Sequence, residues 1–376
     1  MGEKKYRVGM IGVGRKGTQH ARCYALNPKC EIVAAADNDK ENLDLFTSRF
    51  KVPGYSDYRE MLKKEKIDIV SPILPVRPNA EVVIGCTEFD VKGIFCEKPM
   101  AVSLEEADRM VNAARKRNIR LAGGDMDANL PAHTKAKEII DSGELGEVQS
   151  ITFHMGAGSE MSGGGCQLFT LMRMFASQVD VAWSIGWVSD DPWSDHDQGA
   201  SGYFRFVNGV EGFITRKQNA RNGFEVLCSK GVYSSDYAFS HIYKVKEGVT
   251  RPAFSDLVEI KGVLPEGNIY GTRSAAMQYD ADGWKWPGDR NMASVANFVD
   301  ALDAGRDPVH SGDNGRKILE MAIGLRESAR RGHAPVQFPI QDRSLRIIPL
   351  NWRLDNKKPI YGHETYMKQV RGHKKD

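Results

Sequence analysis

No stretch of about eighteen apolar residues occurs in this 376-residue chain, so a membrane-spanning helix is not expected. The six cysteines, at 23, 30, 86, 96, 166 and 228, include no C-x-x-C pair. A chain this long needs no disulfide staples, and reduced thiols in a cytoplasmic protein are the expectation. The N-terminus passes almost at once into Tyr6-Arg7-Val8-Gly9-Met10-Ile11-Gly12, which leaves no room for a signal peptide. Neither sign of charge is in marked excess, since 52 Lys and Arg stand against 49 Asp and Glu, and a net of only +3 gives no argument for nucleic acid. No His/Asp/Glu grouping has metal-ligand spacing, so no metal is expected. Internal repeats and low-complexity tracts are also missing.

The composition, 41% hydrophobic and 27% charged, is that of an ordinary globular protein, and the length suggests two domains. The first third alternates short apolar runs (Val8–Ile11, Ile32–Ala36, Ile67–Val70, Gly93–Cys96, Ile119–Ala122) with amphipathic stretches such as Ser103–Lys116. Ser103, followed by Glu105 and Glu106, is a good helix start. This order predicts a doubly wound parallel sheet, with ligand at the carboxyl ends of its strands. After about Asp125 the rhythm changes. A helix over Pro131–Ser142 is followed by strand-like segments Val148–His154, Val181–Val188, Ala200–Val207, Val210–Arg216, Phe224–Cys228 and Val232–Tyr237, with a hairpin signal at Asn208-Gly209. Helical stretches Met292–Ala304 and Asn314–Arg330 come next. The predicted organisation is a nucleotide-binding domain over 1–125, an α/β domain with a large, mostly antiparallel sheet over 126–340, and an extension over 341–376. That extension holds nine basic and four acidic residues and suits either an acidic partner, a neighbouring subunit or plain solvation.

Gly12-Val13-Gly14-Arg15-Lys16-Gly17 reads as a seat for a dinucleotide pyrophosphate. Gly12 permits a tight turn out of the strand, Gly14 lets the backbone approach the phosphates, and Gly17 lets helix and strand pack closely. The phosphates would sit on the helix N-terminus, whose N–H groups and dipole favour negative charge. Asp37, twenty residues after Gly17 and at the end of the next strand, suits the ribose hydroxyls and repels a 2′-phosphate, which points to NAD. The alternative for Asp37 is a turn residue, and Asp39 is the expected cap of the next helix. Glu97-Lys98-Pro99 follows the apolar run Gly93-Ile94-Phe95-Cys96. A lysine there points into the ligand crevice, where a cationic nicotinamide would lower its pKa toward the range of a general acid–base.

At these residues the chain resembles the Gfo/Idh/MocA family of oxidoreductases. The likeness runs through GVGRKGTQH (Gly12–His20), CEKPMA (Cys96–Ala101), IDSGELGEV (Ile140–Val148), NGVEGFI (Asn208–Ile214) and the pattern over Phe298–Pro308 and Ser311–Ser328, roughly residues 5 to 340. The resemblance implies a Rossmann domain, a second domain whose open sheet often makes oligomer contacts, and tightly held NAD(P). It also implies a Glu97–Pro99 loop, commonly with a cis proline, that sets Lys98 beside nicotinamide and substrate. Sugars, inositols and other polyols are the implied substrates. The expected cofactor residues are Gly12, Gly14, Arg15, Lys16, Gly17, Asp37, Asn38, Leu74, Pro75, Asn79, Glu97 and Lys98.

The chain also departs from the family. After Gly163-Gly164-Gly165 the helix carries Phe169, Arg173 and Ala176 where the family has Asp, His and Asp. Lys98 would then act alone or with a new partner. Arg173 could hold a substrate hydroxyl or an anion with its fixed fork of donors, or simply lie on the wet side of a helix. Asp125 and Asp127, after the fifth strand, could accept from Lys98 or a sugar hydroxyl, or serve as loop residues. His154, at a strand end where family substrate contacts occur, and His196 beside Asp197 complete the candidates. Trp183, Trp187 and Trp193 could stack on sugar rings or belong to sheet core or interface. The expected activity is hydride transfer between NAD and a secondary alcohol of a sugar, glycoside or polyol in a homo-oligomer. A redox-neutral, NAD-dependent glycoside-cleaving enzyme and a non-catalytic NAD- or sugar-binding regulator are the alternatives.

Overall fold

A computed structural model describes residues 5–156, 160–188, 191–217, 222–236, 239–265, 289–349 and 353. The extension beyond 349, with Trp352 and Tyr361, falls outside the described residues except for Arg353. In chain order the first elements are β1 (Tyr6–Ile11), α1 (Arg15–Leu26), β2 (Cys30–Ala36), α2 (Lys40–Phe50), β3 (Gly54–Tyr55), α3 (Tyr58–Lys64), β4 (Ile69–Pro72), α4 (Val76–Cys86), β5 (Gly93–Phe95), α5 (Leu104–Lys116) and β6 (Arg120–Ala122). They are followed by α6 (Pro131–Asp141), β7 (Val148–Gly156), α7 (Cys166–Phe175), β8 (Val181–Val188), β9 (Ala200–Phe206), β10 (Glu211–Lys217), β11 (Gly223–Cys228), β12 (Gly231–Ser235), β13 (Ser240–Val245) and β14 (Leu257–Glu259). The last are α8 (Asp289–Asp303), α9 (Gly312–Arg330) and β15 (Val336–Gln337). The chain divides into two compact units, residues 1–126, 275–316 and 350–376 in the first and residues 127–274 and 317–349 in the second.

In the first unit the described strands pair in parallel in the order β3-β2-β1-β4-β5-β6. Central strands are covered on both faces and therefore read as unbroken apolar runs: Val8, Met10, Ile69 and Ile94 are fully buried. The order reverses between β1 and β4, the switch point where such sheets take their ligands. The two-residue β3 was not among the expected strands, being too short to carry a pattern. Capping follows sequence. Asp39 accepts from the N–H groups of Glu41 and Asn42 at the start of α2, and Ser103 Oγ accepts from Glu106 N–H at the start of α5.

Helix α8 was expected in the second domain, but it belongs to the first unit. Its apolar face explains this. Phe298 is fully buried with its ring 5.5 Å from that of Phe95 on β5, and a Cβ on Gly93 would come within 2.6 Å of Phe298 Cζ. Lys29, after α1, pairs with Asp300 and Asp303 at 2.8 and 2.7 Å.

The second unit holds a sheet of nine described strands, ordered β14-β13-β12-β11-β7-β10-β9-β8-β15. All its pairs are antiparallel except β7 with β10. Asn208-Gly209 makes the β9–β10 hairpin, with Gly209 at φ +90°, where a side chain would be strained. Alternation assigns the faces. Phe153, Phe204, Ile214 and Phe224 are buried toward the helices. Met172 of α7 fills the space left by Gly212, and Leu325 of α9 that left by Gly186. The opposite face carries Trp183, Tyr203 and Phe213 in a row, with ring centroids 5.0 and 5.2 Å apart, and Trp187, which is 47% exposed.

Phe298→Ala should lower stability in denaturant melts by about 3–5 kcal/mol, as loss of a buried ring does. Phe254→Ala, at a 93% exposed site, should change it by under about 0.5 kcal/mol.

Candidate active site

The turn after β1 is built by close approach. Gly12 has φ +74°, its N–H donates to Ala36 O at 2.8 Å, and a Cβ on it would meet Ile73 O at 2.6 Å and Leu74 at 2.8 Å. A Cβ on Gly17 would lie 1.9 Å from Gly12 O. Helix α1 opens on Gly14 with no side chain capping it, and the nearest atom to a Cβ there would be Asn42 Nδ2 at 3.5 Å. That is an uncapped helix end with room beside it for an anion. Asp37 accepts from Val13 N–H at 2.7 Å and from Asp39 N–H at 2.9 Å. Burial raises its carboxyl against the lowering effect of those two bonds. One hydrogen bond per oxygen leaves acceptor capacity for a ribose diol. Asn38 is exposed beside it, while Leu74 and Pro75 follow β4, with Pro75 just before α4.

Two strands away, β5 delivers Glu97 and Lys98. Glu97 is buried; one carboxylate oxygen accepts from Lys98 N–H at 2.8 Å and the other lies 3.3 Å from His20 Nε2. Burial pushes this carboxyl up, but His20, Lys16 and Lys98 outweigh it and hold it well below the usual carboxylate range. The Lys98–Pro99 peptide is cis. Asn79 donates to Glu97 O at 3.3 Å and Met100 O at 2.9 Å, so both amide hydrogens are spent on this turn rather than reaching a cofactor. Gly124 packs so closely that a Cβ would lie 2.7 Å from Lys98 N. Sequence reading gave no role to His20, although it stands one helical turn after Lys16.

Asp125 is buried and accepts from Asn314 Nδ2 at 2.9 Å at the start of α9, a bond within the first unit. Asp127, in the second, is buried with its N–H donated to Gln167 Oε1 of α7 at 2.8 Å. Arg173 departs from its expected role. It is 3% exposed and donates to Val179 O and Gln178 O, both at 3.0 Å, so its guanidinium closes the turn after its own helix instead of offering a fork to substrate. Phe169 packs edge-on to Phe204 in the core. His154 bonds Thr215 Oγ1 at 2.9 Å on the face of β7 opposite Phe153, away from α6 and α7. His196 is exposed, and its neighbour Asp197 does the work there, accepting from Met161 N–H, Ser162 N–H and Oγ, and Gly199 N–H. Asp197 thereby fixes the turn that leads into α7. Sequence reading also passed over His133, buried with Nδ1 2.6 Å from Tyr233 Oη. Among the described residues no His, Cys, Asp and Glu group stands ready for a metal ion.

A doubly wound sheet with this glycine turn and this carboxylate is the frame of a dinucleotide-binding domain, and the uncapped helix end fits the phosphates. Residues 6–124 match the family described as oxidoreductase, NAD-binding Rossmann fold. Myo-inositol 2-dehydrogenase of Thermotoga maritima is 25% identical over 350 residues, 86% of this chain and 96% of that protein. Glucose-6-phosphate 3-dehydrogenase of Bacillus subtilis is 29% identical over 149 residues, 39% of this chain and 41% of that protein. A solved levoglucosan dehydrogenase, in complex with NADH and L-sorbose, superposes with a TM-score of 0.73 at 20% identity, covering 90% of this chain and 100% of that one. Over residues 6–124 the chain matches the Gfo/Idh/MocA oxidoreductase family, and the cofactor of that Rossmann domain is NAD.

Burial holds His133 down to about 4 despite the raising effect of Asp127, and burial with the nearby His20 holds His310 down to about 3, both from 6.5. Below pH 6.5 the unfolded chain therefore binds more protons than the fold, and stability should fall with pH by roughly 1 kcal/mol per histidine per unit. Denaturant midpoints measured from neutral pH down to about 5 should show this slope, and His133→Gln should remove about half of it.

Proposed function

We propose that this protein is a dehydrogenase that moves hydride between nicotinamide and a secondary alcohol carbon of a sugar, glycoside or polyol, with Lys98 as the acid–base group. The observation that carries this reading is the fixed turn Glu97–Met100 at the carboxyl end of β5. It presents a lysine whose backbone is held on both sides, by Glu97 and by Asn79. NAD, when bound, supplies the hydride acceptor or donor. The residues of the chain do the rest. Arg15, Lys16 and the open end of α1 receive the phosphates' charge, and Asp37 takes the ribose hydroxyls. Lys98 Nζ takes the hydroxyl proton as the alcohol is oxidised and returns it in the reverse direction. The relatives support a cyclic polyhydroxy substrate, since their names carry inositol, glucose 6-phosphate and levoglucosan.

The second unit is proposed as the substrate side, with buried Asp127 held in place by Gln167 as its leading carboxylate. The aromatic row Trp183, Tyr203 and Phe213 favours a homo-oligomer formed on the open sheet face. The six cysteines are all buried, in keeping with a reducing, cytoplasmic setting.

Lys98→Met should lower turnover by about 10²–10⁴-fold while NADH affinity, read by fluorescence titration, stays within about threefold. Nicotinamide absorbance with a panel of sugars, polyols and glycosides gives the rates. No change with any of them would overturn the reading, and an equal loss of turnover and affinity would reduce Lys98 to a cofactor anchor.

A further inference from the structure

His20 is a polar side chain that is 1% exposed, in the second turn of α1. Burying such a group costs stability unless a partner compensates it. Its Nε2 lies 3.3 Å from one oxygen of Glu97, and the other oxygen of Glu97 accepts from Lys98 N–H at 2.8 Å. A carboxylate only accepts, so this ring nitrogen is the donor side of the pair. Packing holds the imidazole in place. It stands edge-on to Phe95, with ring centroids 5.4 Å apart and planes at 81°, and Phe95 is set in turn against Phe298. Beyond the carboxylate, a Cβ on Gly124 would come within 2.9 Å of Glu97 Oε2 and 3.0 Å of Lys98 Cγ, so the chain walls the turn on that side. Glu97 therefore bridges two elements of the first unit, with the helix side chain on one oxygen and the backbone of Lys98 on the other. The helix is itself tied to the glycine turn, where Thr18 Oγ1 donates to Val13 O at 3.1 Å.

We propose that His20 is a positioning residue for the acid–base lysine: acting through Glu97, it fixes the turn that carries Lys98 to the helix that would seat the cofactor phosphates. This rests on the hydride-transfer reading and adds to it a residue that acts at one remove from the reacting atoms. Without the imidazole, the buried carboxylate keeps a partner on only one of the two oxygens. A buried charge that loses a partner turns toward water or takes a proton. Either change loosens the contact with Lys98 N–H and frees Nζ from its place. A misplacement of about 1 Å at a reacting group costs up to about 10²-fold in rate.

The test compares His20→Leu, His20→Gln, Glu97→Gln and the double variant His20→Leu/Glu97→Gln as NAD-loaded proteins. Two quantities are measured: steady-state kinetics, and the rate at which acetic anhydride acetylates Lys98, followed by peptide mass spectrometry with no turnover required. His20→Leu should lower kcat by about 10–100-fold, while KM and NADH affinity stay within about threefold. His20→Gln, whose amide can donate where Nε2 stands, should recover most of that loss. Glu97→Gln should resemble His20→Leu, and the double variant should be no worse than the weaker of the two, because both act through one contact. Lys98 should be acetylated about threefold or more faster in His20→Leu and in Glu97→Gln, since each frees the side chain and weakens the carboxylate that favours its charged form. Tyr24→Leu, fully buried one turn further along α1, should lower the denaturant midpoint yet leave kcat within about threefold. If His20→Leu does not fold, His20→Asn, which is polar but too short to reach the carboxylate, takes its place. Additive losses in the double variant, an equal fall in NADH affinity, or an unchanged acetylation rate would overturn the proposal. A protein that moves no hydride with any sugar, polyol or glycoside would sink the dehydrogenase reading, and the acetylation rates would still decide the link from His20 to Lys98.

Discussion

One buried carboxylate, that of Glu97, organises the turn after β5 in the first unit. A charge taken out of water costs several kcal/mol unless it is closely paired. Glu97 is compensated by the N–H of Lys98 on one oxygen and by His20 on the other, with Lys16 and Lys98 adding positive charge. The same contacts fix the backbone that carries the lysine. Asn79 holds the far side of the turn, and Gly124 leaves no space for it to relax into. A lysine on so constrained a support has its backbone held in place, which is what the proposed proton transfer would require.

The second unit solves a different problem. Its α7 helix is buried along its whole length, so most of its residues must serve packing. Phe169 goes into the aromatic core with Phe204, and Arg173, a cation that cannot be deprotonated, is satisfied by the carbonyls of its own C-terminal turn. Polar groups outside that packing remain at the helix entrance, in Asp127 with Gln167, and in Asp197 with the Met161–Ser162 turn. The departure from the family helix thus has a structural cost already met within the unit, since Asp180, 3.7 Å from the Arg173 guanidinium, supplies the opposite charge.

The glycines of the first turn, the Asp39 and Ser103 caps and the Asn208-Gly209 hairpin were legible because each depends on local conformation and local hydrogen bonds. Strands β7 to β10 were legible as strand-like segments, Val148–His154, Val181–Val188, Ala200–Val207 and Val210–Arg216. His133 and His20 gave no such signal: a lone histidine between apolar residues looks the same whether it caps, packs or pairs. Arg173 misled because its family position suggested a ligand, while its real partners, the carbonyls of Gln178 and Val179, exist only once the helix has ended. Helix α8 misled because adjacency in sequence to the second sheet says nothing about which apolar surface will cover it.

The sequence by itself determined the dinucleotide fold, the glycine turn after β1 and the lysine after β5, because glycine sterics, strand periodicity and helix capping act over a few residues. Only the tertiary structure decided that Glu97 gathers His20, Lys16 and Lys98, that Phe298 returns some two hundred residues later to cover β5, and that Arg173 is consumed by its own turn. Those outcomes turn on burial and on which charges share a desolvated space, and the folded chain alone sets both.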